Sequence, residues 1–557
     1  MTAHAVSVAT KTGDARPQLE TYPAAFQATA RRVPDRVALR TPGDGIQLTW
    51  AQYASAVERA AGALAGLGVV RGDRVALLSR NRPELAVADV AAMHLGAATV
   101  AVYPASPQST IEFVLRDCAP RVLLVEPELL PRLERVAHEV RHVVALDSLD
   151  SLPVPPRFGF DDAWRSVSPE DLAAILYTSG TTGLLKSVEW RHREAVRMFQ
   201  RFDVLQPEPD GIRDISVGPF AHATERAGGH WRSLLRGSTR TFCTDPAQLA
   251  ATLLEARPTY LFGPPRLWQN LKTKLDSTLD PAERTALDRG IARVRAGDTM
   301  PATEDDEQLL ATLRARIGLD RVNRALTAAA PCPQAVLEYF HGLGVGLNAF
   351  YGLTEGGVPT MTRPGLDDLG TVGVLVPGYE LKLAADGEIL VRSDSAAVAY
   401  HNRPEETAAT FTTDGWIRTG DIGTLDDDRR LRIIDRKKEL VIPDHGHNVA
   451  PSQIESELKC ACPQVGHVCV VGDGRPHLAA LIVLDPPELA NDDRTRAAVA
   501  EAIAQVNAAR DPRERIEAHA ILPDPWLPGD ELTETLKLRR GHIAHQHSDT
   551  IDNLYHG

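Results

Sequence analysis

The chain of 557 residues sets 61 Lys+Arg against 74 Asp+Glu, with 43% apolar and 5% aromatic residues, the balance of a soluble globular protein with material for more than one core. A formal net charge of −13 on mixed-sign sequence leaves no broad basic face for nucleic acid. The most apolar stretch, Val90 to Tyr103, carries His94 and falls short of the roughly 20 apolar residues that a bilayer span needs.

Met1 to Pro17 lacks the apolar run of a secretory signal and reads as a mobile tail, so a cytoplasmic location is expected. Thr49 and Gln52 form a capping-box pattern ahead of Tyr53, Val57, Ala60, Leu64 and Leu67, which predicts an amphipathic helix stopping at Gly68. Val75 to Leu78 predicts a buried strand, and Pro83 opens a helix ending around Gly96. Short apolar runs recur at Val122–Val125, Ile175–Tyr177, Tyr260–Phe262 and Leu347–Phe350, separated by helical or irregular segments. This order implies an α/β class with a mostly parallel sheet.

Residues 280 to 320 carry no strand signal and predict exposed helices resembling an insertion. From Gly387 onward, short runs such as Gly387–Arg392 and Leu431–Ile434 between Gly and Asp turns predict a small β-rich subdomain. The expected division is an N-terminal domain over residues 1–435 and a smaller α+β domain over 436–557, with strands near Val468–Val471 and Ala479–Val483 and a helix over Thr495–Ala508. Cys460, Cys462, His467 and Cys469 lie close in sequence, but their spacing matches no common zinc motif, and no cysteine pair forms a CxxC.

The most informative segment runs from Tyr177 through Thr178, Ser179, Gly180, Thr181, Thr182 and Gly183 to Lys186. An apolar strand feeds directly into a loop of glycines, hydroxyls and a lysine, a composition suited to holding phosphate. A Walker loop requires Gly immediately before its Lys, and Leu185 stands there, so a P-loop kinase or ATPase is a weak second reading. Further along, Ala349–Glu355 places a carboxylate just past an apolar run, where a divalent ion bridging phosphates can sit. Gly415–Asp421 sets another carboxylate after a turn, able to accept from ribose hydroxyls, and Asp435-Arg-Lys-Lys-Glu-Leu marks the boundary.

In this order and spacing the four segments resemble the AMP-forming acyl-CoA synthetases, within the superfamily that also holds peptide-synthetase adenylation domains and luciferases. The resemblance covers nearly the whole chain and is nearest to the long-chain fatty-acid branch. Pro219–Arg226, Gly263–Trp268, Ala328–Pro331 and the ending Glu531-Leu-Thr-Glu-Thr-Leu-Lys537-Leu-Arg-Arg carry that likeness. It implies a large domain that binds ATP and an acid, and a small domain that turns about a hinge at Lys438 to serve adenylation and then transfer to CoA. It also implies that Thr178 to Gly183 and Lys186 cradle phosphates, that Glu355 with Thr181 holds Mg²⁺, and that Thr354 touches the α-phosphate. By the same resemblance Tyr351 stacks on adenine, Asp421 and Arg436 hold the ribose, His222 stands near the substrate carboxylate, and Lys537 bridges acyl and phosphate oxygens. The expected partners are small molecules, with peripheral membrane contact left open.

The chain departs from the family pattern at Leu185-Lys186-Ser187, where Pro-Lys-Gly is usual, and at His445-Gly446-His447-Asn448, where Gly-Gly-Lys-Asn is common. Glycine is also replaced at Ala328, Ser393 and Ala399. These departures leave two alternatives beside the acyl-CoA reading: activation of nitrite for transfer to an arylamine without CoA, as in some relatives of the long-chain ligases, and a catalytically reduced nucleotide-binding homologue.

Overall fold

The computed structural model describes residues 6–7, 19–43, 45–178, 185–205, 211–533 and 536–556. The class is α/β. Its largest sheet has seven strands in the order Ala399–Tyr400, Lys186–Arg191, Leu172–Thr178, Ala98–Val102, Arg74–Leu78, Val122–Val125 and His142–Ala145. The last five run parallel, and Lys186–Arg191 turns back antiparallel on Leu172–Thr178. These strands are short and almost continuously apolar because helices cover both faces of the sheet.

The predicted capping box is present. The Thr49 hydroxyl accepts from the Gln52 amide, the Gln52 side chain accepts from the Thr49 amide, and the helix runs Trp50–Gly66. Its Tyr53, Val57, Ala60 and Leu64 are fully buried against the helix Pro83–His94 and the sheet, each side chain of Val or Leu size contributing roughly 1.5–3 kcal/mol.

A second sheet of five strands joins Tyr260–Phe262, Arg324–Thr327 and Leu347–Leu353 in parallel, followed by Gly357–Met361 and Val374–Leu375 in antiparallel. The β-rich region is a third, antiparallel sheet of Val6–Ser7, Tyr379–Leu383, Glu388–Ser393, Ile417–Leu425 and Leu431–Arg436. Within the segment expected as a tail, Val6 and Ser7 therefore pair with Leu381 and Glu380. A four-stranded sheet, Arg213–Ser216, Thr239–Phe242, Val37–Arg40 and Gln47–Thr49, completes this part of the molecule.

Residues 280–320 differ from the exposed insertion expected of them. Helices Pro281–Arg295 and Glu304–Arg316 bury Leu287, Leu310 and Leu313 in the core that also holds Trp268 and Phe340. Gly290 lies so close to Gly342 that a Cβ on it would stand 2.3 Å from the Gly342 carbonyl oxygen. Most of the charge lies on the outer faces of these helices, with Glu283 and Asp306 buried in ion pairs with Arg316 and Arg289, and it hides a narrow apolar stripe.

From Val441 onward, two cores of their own surround the three-stranded sheet Val465–Val471, Leu478–Leu484 and Ile516–Leu522. The last strand pairs parallel to its neighbour across the helix Asp493–Ala508. Cys462 and Cys469 belong to these separate cores, while Cys460 packs toward the core of the large part. Among the described residues no helix is long and apolar enough to cross a membrane.

Candidate functional site

The seven-stranded sheet, the sheet carrying Tyr351 and the antiparallel sheet meet around a cavity of about 2380 Å³. Thr178, Lys186, His222, Tyr351, Thr354, Glu355, Asp421, Arg436, Lys438 and Lys537 all line it. The predicted Ser179, Gly180, Thr181, Thr182 and Gly183 lie outside the described residues. Their flanks are fixed by register, since Thr178 stands directly across from Lys186 where the two strands are joined.

One corner is built on paired strands. Asp421 sits on Ile417–Leu425 opposite Arg436 on Leu431–Arg436, and the Arg436 Nε donates to Asp421 Oδ1 at 2.9 Å. The Tyr351 hydroxyl, from the neighbouring sheet, donates to Asp421 Oδ2 at 2.6 Å. Burial raises the Asp421 carboxyl from its ordinary value, while Arg436, Tyr351 and Lys537 pull it back toward the ionised form. The Tyr351 hydroxyl is thus committed to a carboxylate, a contact that the resemblance did not imply.

In the opposite corner the Tyr400 hydroxyl donates to Glu355 Oε1 at 2.6 Å, and Lys186 Nζ donates to the same hydroxyl at 3.4 Å while lying over the Tyr400 ring. The Trp190 indole N–H donates to the Thr354 carbonyl at 3.0 Å and fixes the turn that carries Glu355. Tyr400 and Trp190 were not singled out in the sequence. Tyr400 is 45 residues from Glu355 and 214 from Lys186, and only the pairing of Ala399–Tyr400 with Val188 and Glu189 brings them together.

His222 lies at the start of a π-helical stretch, Thr224–Trp231, a rare backbone form that tends to mark functional positions. Its Nδ1 accepts from the Thr224 amide at 3.2 Å, which places the proton of a neutral ring on Nε2. Burial, and secondarily the charge of Lys537, push this imidazole down to about 4. Beyond it the wall is aromatic, with Trp231, Tyr260, Phe262 and Phe350, and the Arg232 guanidinium, paired to Asp214, lies 3.7 Å over the Tyr260 ring.

Lys537 enters from the C-terminal part. Its amide donates to the Thr533 hydroxyl at 3.1 Å, and Leu536 before it adopts φ +60°. A leucine in the left-handed region costs roughly 1–2 kcal/mol, so the turn is held by its surroundings. Enclosure in the cleft lowers the Lys537 ammonium, and Arg436 adds to this, while Asp421 and Glu439 oppose it. Lys438 is exposed at the cleft margin, whereas its neighbour Lys437 is tied to Asp386 at 2.5 Å and Glu388 at 3.2 Å. His445 and His447 lie away from the cavity lining, with His447 Nε2 3.0 Å from Glu514 Oε1. None of the three positions where glycine is replaced, Ala328, Ser393 and Ala399, has a positive φ; the left-handed residue is Ala329, at φ +74°, next to the buried Ala328.

The family model for AMP-binding enzymes matches residues 26–401, and the model for the C-terminal domain of AMP-binding enzymes matches residues 438–557. The chain belongs to the AMP-binding enzyme family. Among its relatives is FadD11 of Mycobacterium tuberculosis, provisionally named a fatty-acid–CoA ligase, 36% identical over 72% of this chain and 76% of that protein. The long-chain-fatty-acid–CoA ligase FadD15 of Mycobacterium bovis is 30% identical over 94% of this chain and 95% of its own length. The adenylation domain of a carboxylate reductase from Mycobacterium chelonae shares the fold, with a TM-score of 0.77 at 20% identity over 97% of this chain and 92% of that one. An anthranilate CoA ligase, solved with anthranoyl-AMP, superposes with a TM-score of 0.73 at 22% identity over 95% and 98%.

Proposed function

We propose that the chain is an AMP-forming ligase that adenylates a hydrophobic carboxylic acid with ATP, releases pyrophosphate and transfers the acyl group to CoA. The observation that carries this reading is the approach of Lys537 to a cleft that already holds Asp421 and Arg436 at one corner and Lys186 and Glu355 at the other. In this reading Asp421 accepts from the ribose hydroxyls, Lys186 and the loop from Thr178 to Gly183 bind the phosphates, and Thr354 touches the α-phosphate. A carboxylate oxygen of the acid attacks the α-phosphorus, and the bond to the pyrophosphate oxygen breaks. Lys537 neutralises the negative charge that gathers between acyl and phosphate oxygens, in a cleft where a fixed cation acts more strongly than in water. The neutral His222, with its proton on Nε2, donates to the acid and orients it.

Glu355 suits Mg²⁺, because a hard ion that keeps most of its waters and phosphate ligands needs only one or two carboxylates. Tyr400 occupies one Glu355 oxygen and orients the group. When bound, the ion would neutralise phosphate charge. The aromatic wall beyond His222 favours a fatty or aryl acid. We also assign residues 1–435 and 436–557 to the adenylating body and the mobile domain, with Lys438 as hinge, and place the reaction in the cytoplasm. Neither nitrite transfer nor a catalytically reduced module gains a supporting observation, since the charged groups stand together and the curated relatives carry ligase names.

The test is pyrophosphate release with Mg²⁺-ATP against acids from acetate to palmitate, aryl acids, and nitrite with an aminoaryl acid, each with and without CoA. CoA-dependent turnover of a fatty or aryl acid is expected. Turnover with nitrite and arylamine alone, indifferent to CoA, would overturn the reading.

A further inference from the structure

The helix Gln108–Cys118 ends with a carboxylate where a helix favours a cation. Asp117 is its penultimate residue, so the charge sits at the negative end of the macrodipole. Its side chain is also shut away from water, only 7% exposed. A buried charge in a locally unfavourable place points to a task outside its own helix. The partners of Asp117 lie far off in the chain. The Tyr177 hydroxyl donates to Oδ2 at 2.7 Å, and Arg403 Nη2 forms an ion pair with Oδ1 at 3.1 Å. Asn402 Nδ2 donates to the Asp117 carbonyl at 3.1 Å, one of the helix-end carbonyls that lack an intrahelical donor.

These partners flank the phosphate corner on two sides. Tyr177 stands immediately before Thr178 in the strand Leu172–Thr178. Burial, then the neighbouring Cys118 and Asp117, raise its hydroxyl, which stays a donor. Asn402 and Arg403 follow Tyr400, whose hydroxyl meets both Glu355 and Lys186. Asn402 holds φ +53°, a left-handed turn that asparagine tolerates better than most residues. The turn delivers Arg403 onto Asp117 and over the ring of Phe113, 5.6 Å away. Phe113, one helical turn before Asp117, meets the Tyr177 ring edge-on at 6.3 Å. One carboxylate thus gathers a strand end from 60 residues along the chain and a turn from 285.

We infer that Asp117 is a positioning residue for the triphosphate of ATP: it clamps Tyr177 and Arg403 to one helix end and so fixes Thr178 relative to Tyr400 and Glu355. The inference rests on the ligase reading, in which this corner holds the phosphates. Asp117 touches no reactant and acts through its two partners. Small displacements of phosphate-binding groups weaken binding and slow transfer, because both depend on pre-set geometry. The ribose corner is independent of the clamp, since Asp421 and Arg436 pair across two strands of another sheet. Loss of the clamp therefore acts on the phosphates of a nucleotide and spares its sugar.

The test is calorimetric titration of the full chain with Mg²⁺-ATP in the absence of acid, and with AMP in a parallel arm. Asp117→Asn keeps the shape of the side chain and removes the charge that holds Arg403. It should weaken Mg²⁺-ATP by roughly five- to tenfold and AMP by less than about twofold, the scale of one charge-assisted bond. In pyrophosphate release, KM for ATP should rise by a larger factor than kcat falls. Tyr177→Phe should move the ratio of the two affinities the same way by a smaller factor, and Arg116→Gln, exposed on the same helix, should leave it unchanged. Equal weakening of both nucleotides by Asp117→Asn, or both affinities kept whatever its thermal midpoint, would make the clamp structural only and overturn the inference. If Asp117→Asn does not fold, Tyr177→Phe decides, and an unchanged ratio overturns it. Because these titrations need no turnover, failure of the ligase reading shows separately, as absence of pyrophosphate release from the wild-type chain with every acid.

Discussion

The two corners of the cleft handle charge in opposite ways. Around Asp421 the charges are paired in advance, with one carboxylate oxygen on Tyr351 and the other on Arg436, both within 2.9 Å. Among the described residues the Lys186 cation meets only a phenol at 3.4 Å and the face of its ring, and Lys537 likewise makes no direct carboxylate contact there. A neutral sugar is best recognised by an acceptor whose geometry is fixed beforehand. A developing anion is best met by cations whose charge has not been spent on a protein carboxylate.

This contrast can be broken most sharply at Lys537. Lys537→Ala should reduce pyrophosphate release by roughly 10²–10³-fold, the scale seen when one preorganised donor to a transition-state anion is removed. Its circular dichroism and thermal midpoint should match wild type, because the side chain lies in a cleft and forms no part of a core. Adenylation within a few-fold of wild type would remove Lys537 from the chemistry.

A smaller effect is expected in the paired corner. Asp421→Ala removes charge-assisted bonds to the ribose worth roughly 1.5–3 kcal/mol, so ATP affinity should fall by about ten- to a hundredfold in a direct titration, with kcat changing less. Unchanged affinity would show that the pairing is structural.

The smallest effect sharpens the comparison at its edge. His222 takes up a proton only as pH falls through about 4, so it stays neutral across pH 5–8, and the rate profile of adenylation should show no limb near the ordinary histidine value of about 6.5. His222→Gln should lower kcat/KM several-fold and leave the profile unmoved. A limb near 6.5 that vanishes in the variant would place the imidazole in a wetter, ionisable setting.

Local signals carried far in this chain. The Thr49–Gln52 capping box, the Pro83 helix start and the apolar strands could be read because each depends on neighbours within a few residues. Lys186, Glu355, Asp421 and Lys537 could be picked out because each follows a short segment whose residue types are unusual together. Tyr400 and Trp190 could not, since their roles arise from strand pairing over long separations and an aromatic residue in a strand is ordinarily core. The stripe that buries Leu287 and Leu313 was masked by the charges around it.

The distances along the chain within the cleft also set when it can exist. The hairpin Leu172–Arg191 is local and can form early, but Lys186 finds Tyr400 only after a span of 214 residues has folded, and Lys537 arrives later still. Closing such long loops is slow relative to forming local contacts. On a ribosome that releases the N-terminal part first, the phosphate corner therefore waits for Tyr400 to emerge, and the completed cleft waits for Lys537. Occupied by its nucleotide, the completed cleft would draw the whole chain toward the native state by mass action, so ligand binding serves as a late check that folding has finished.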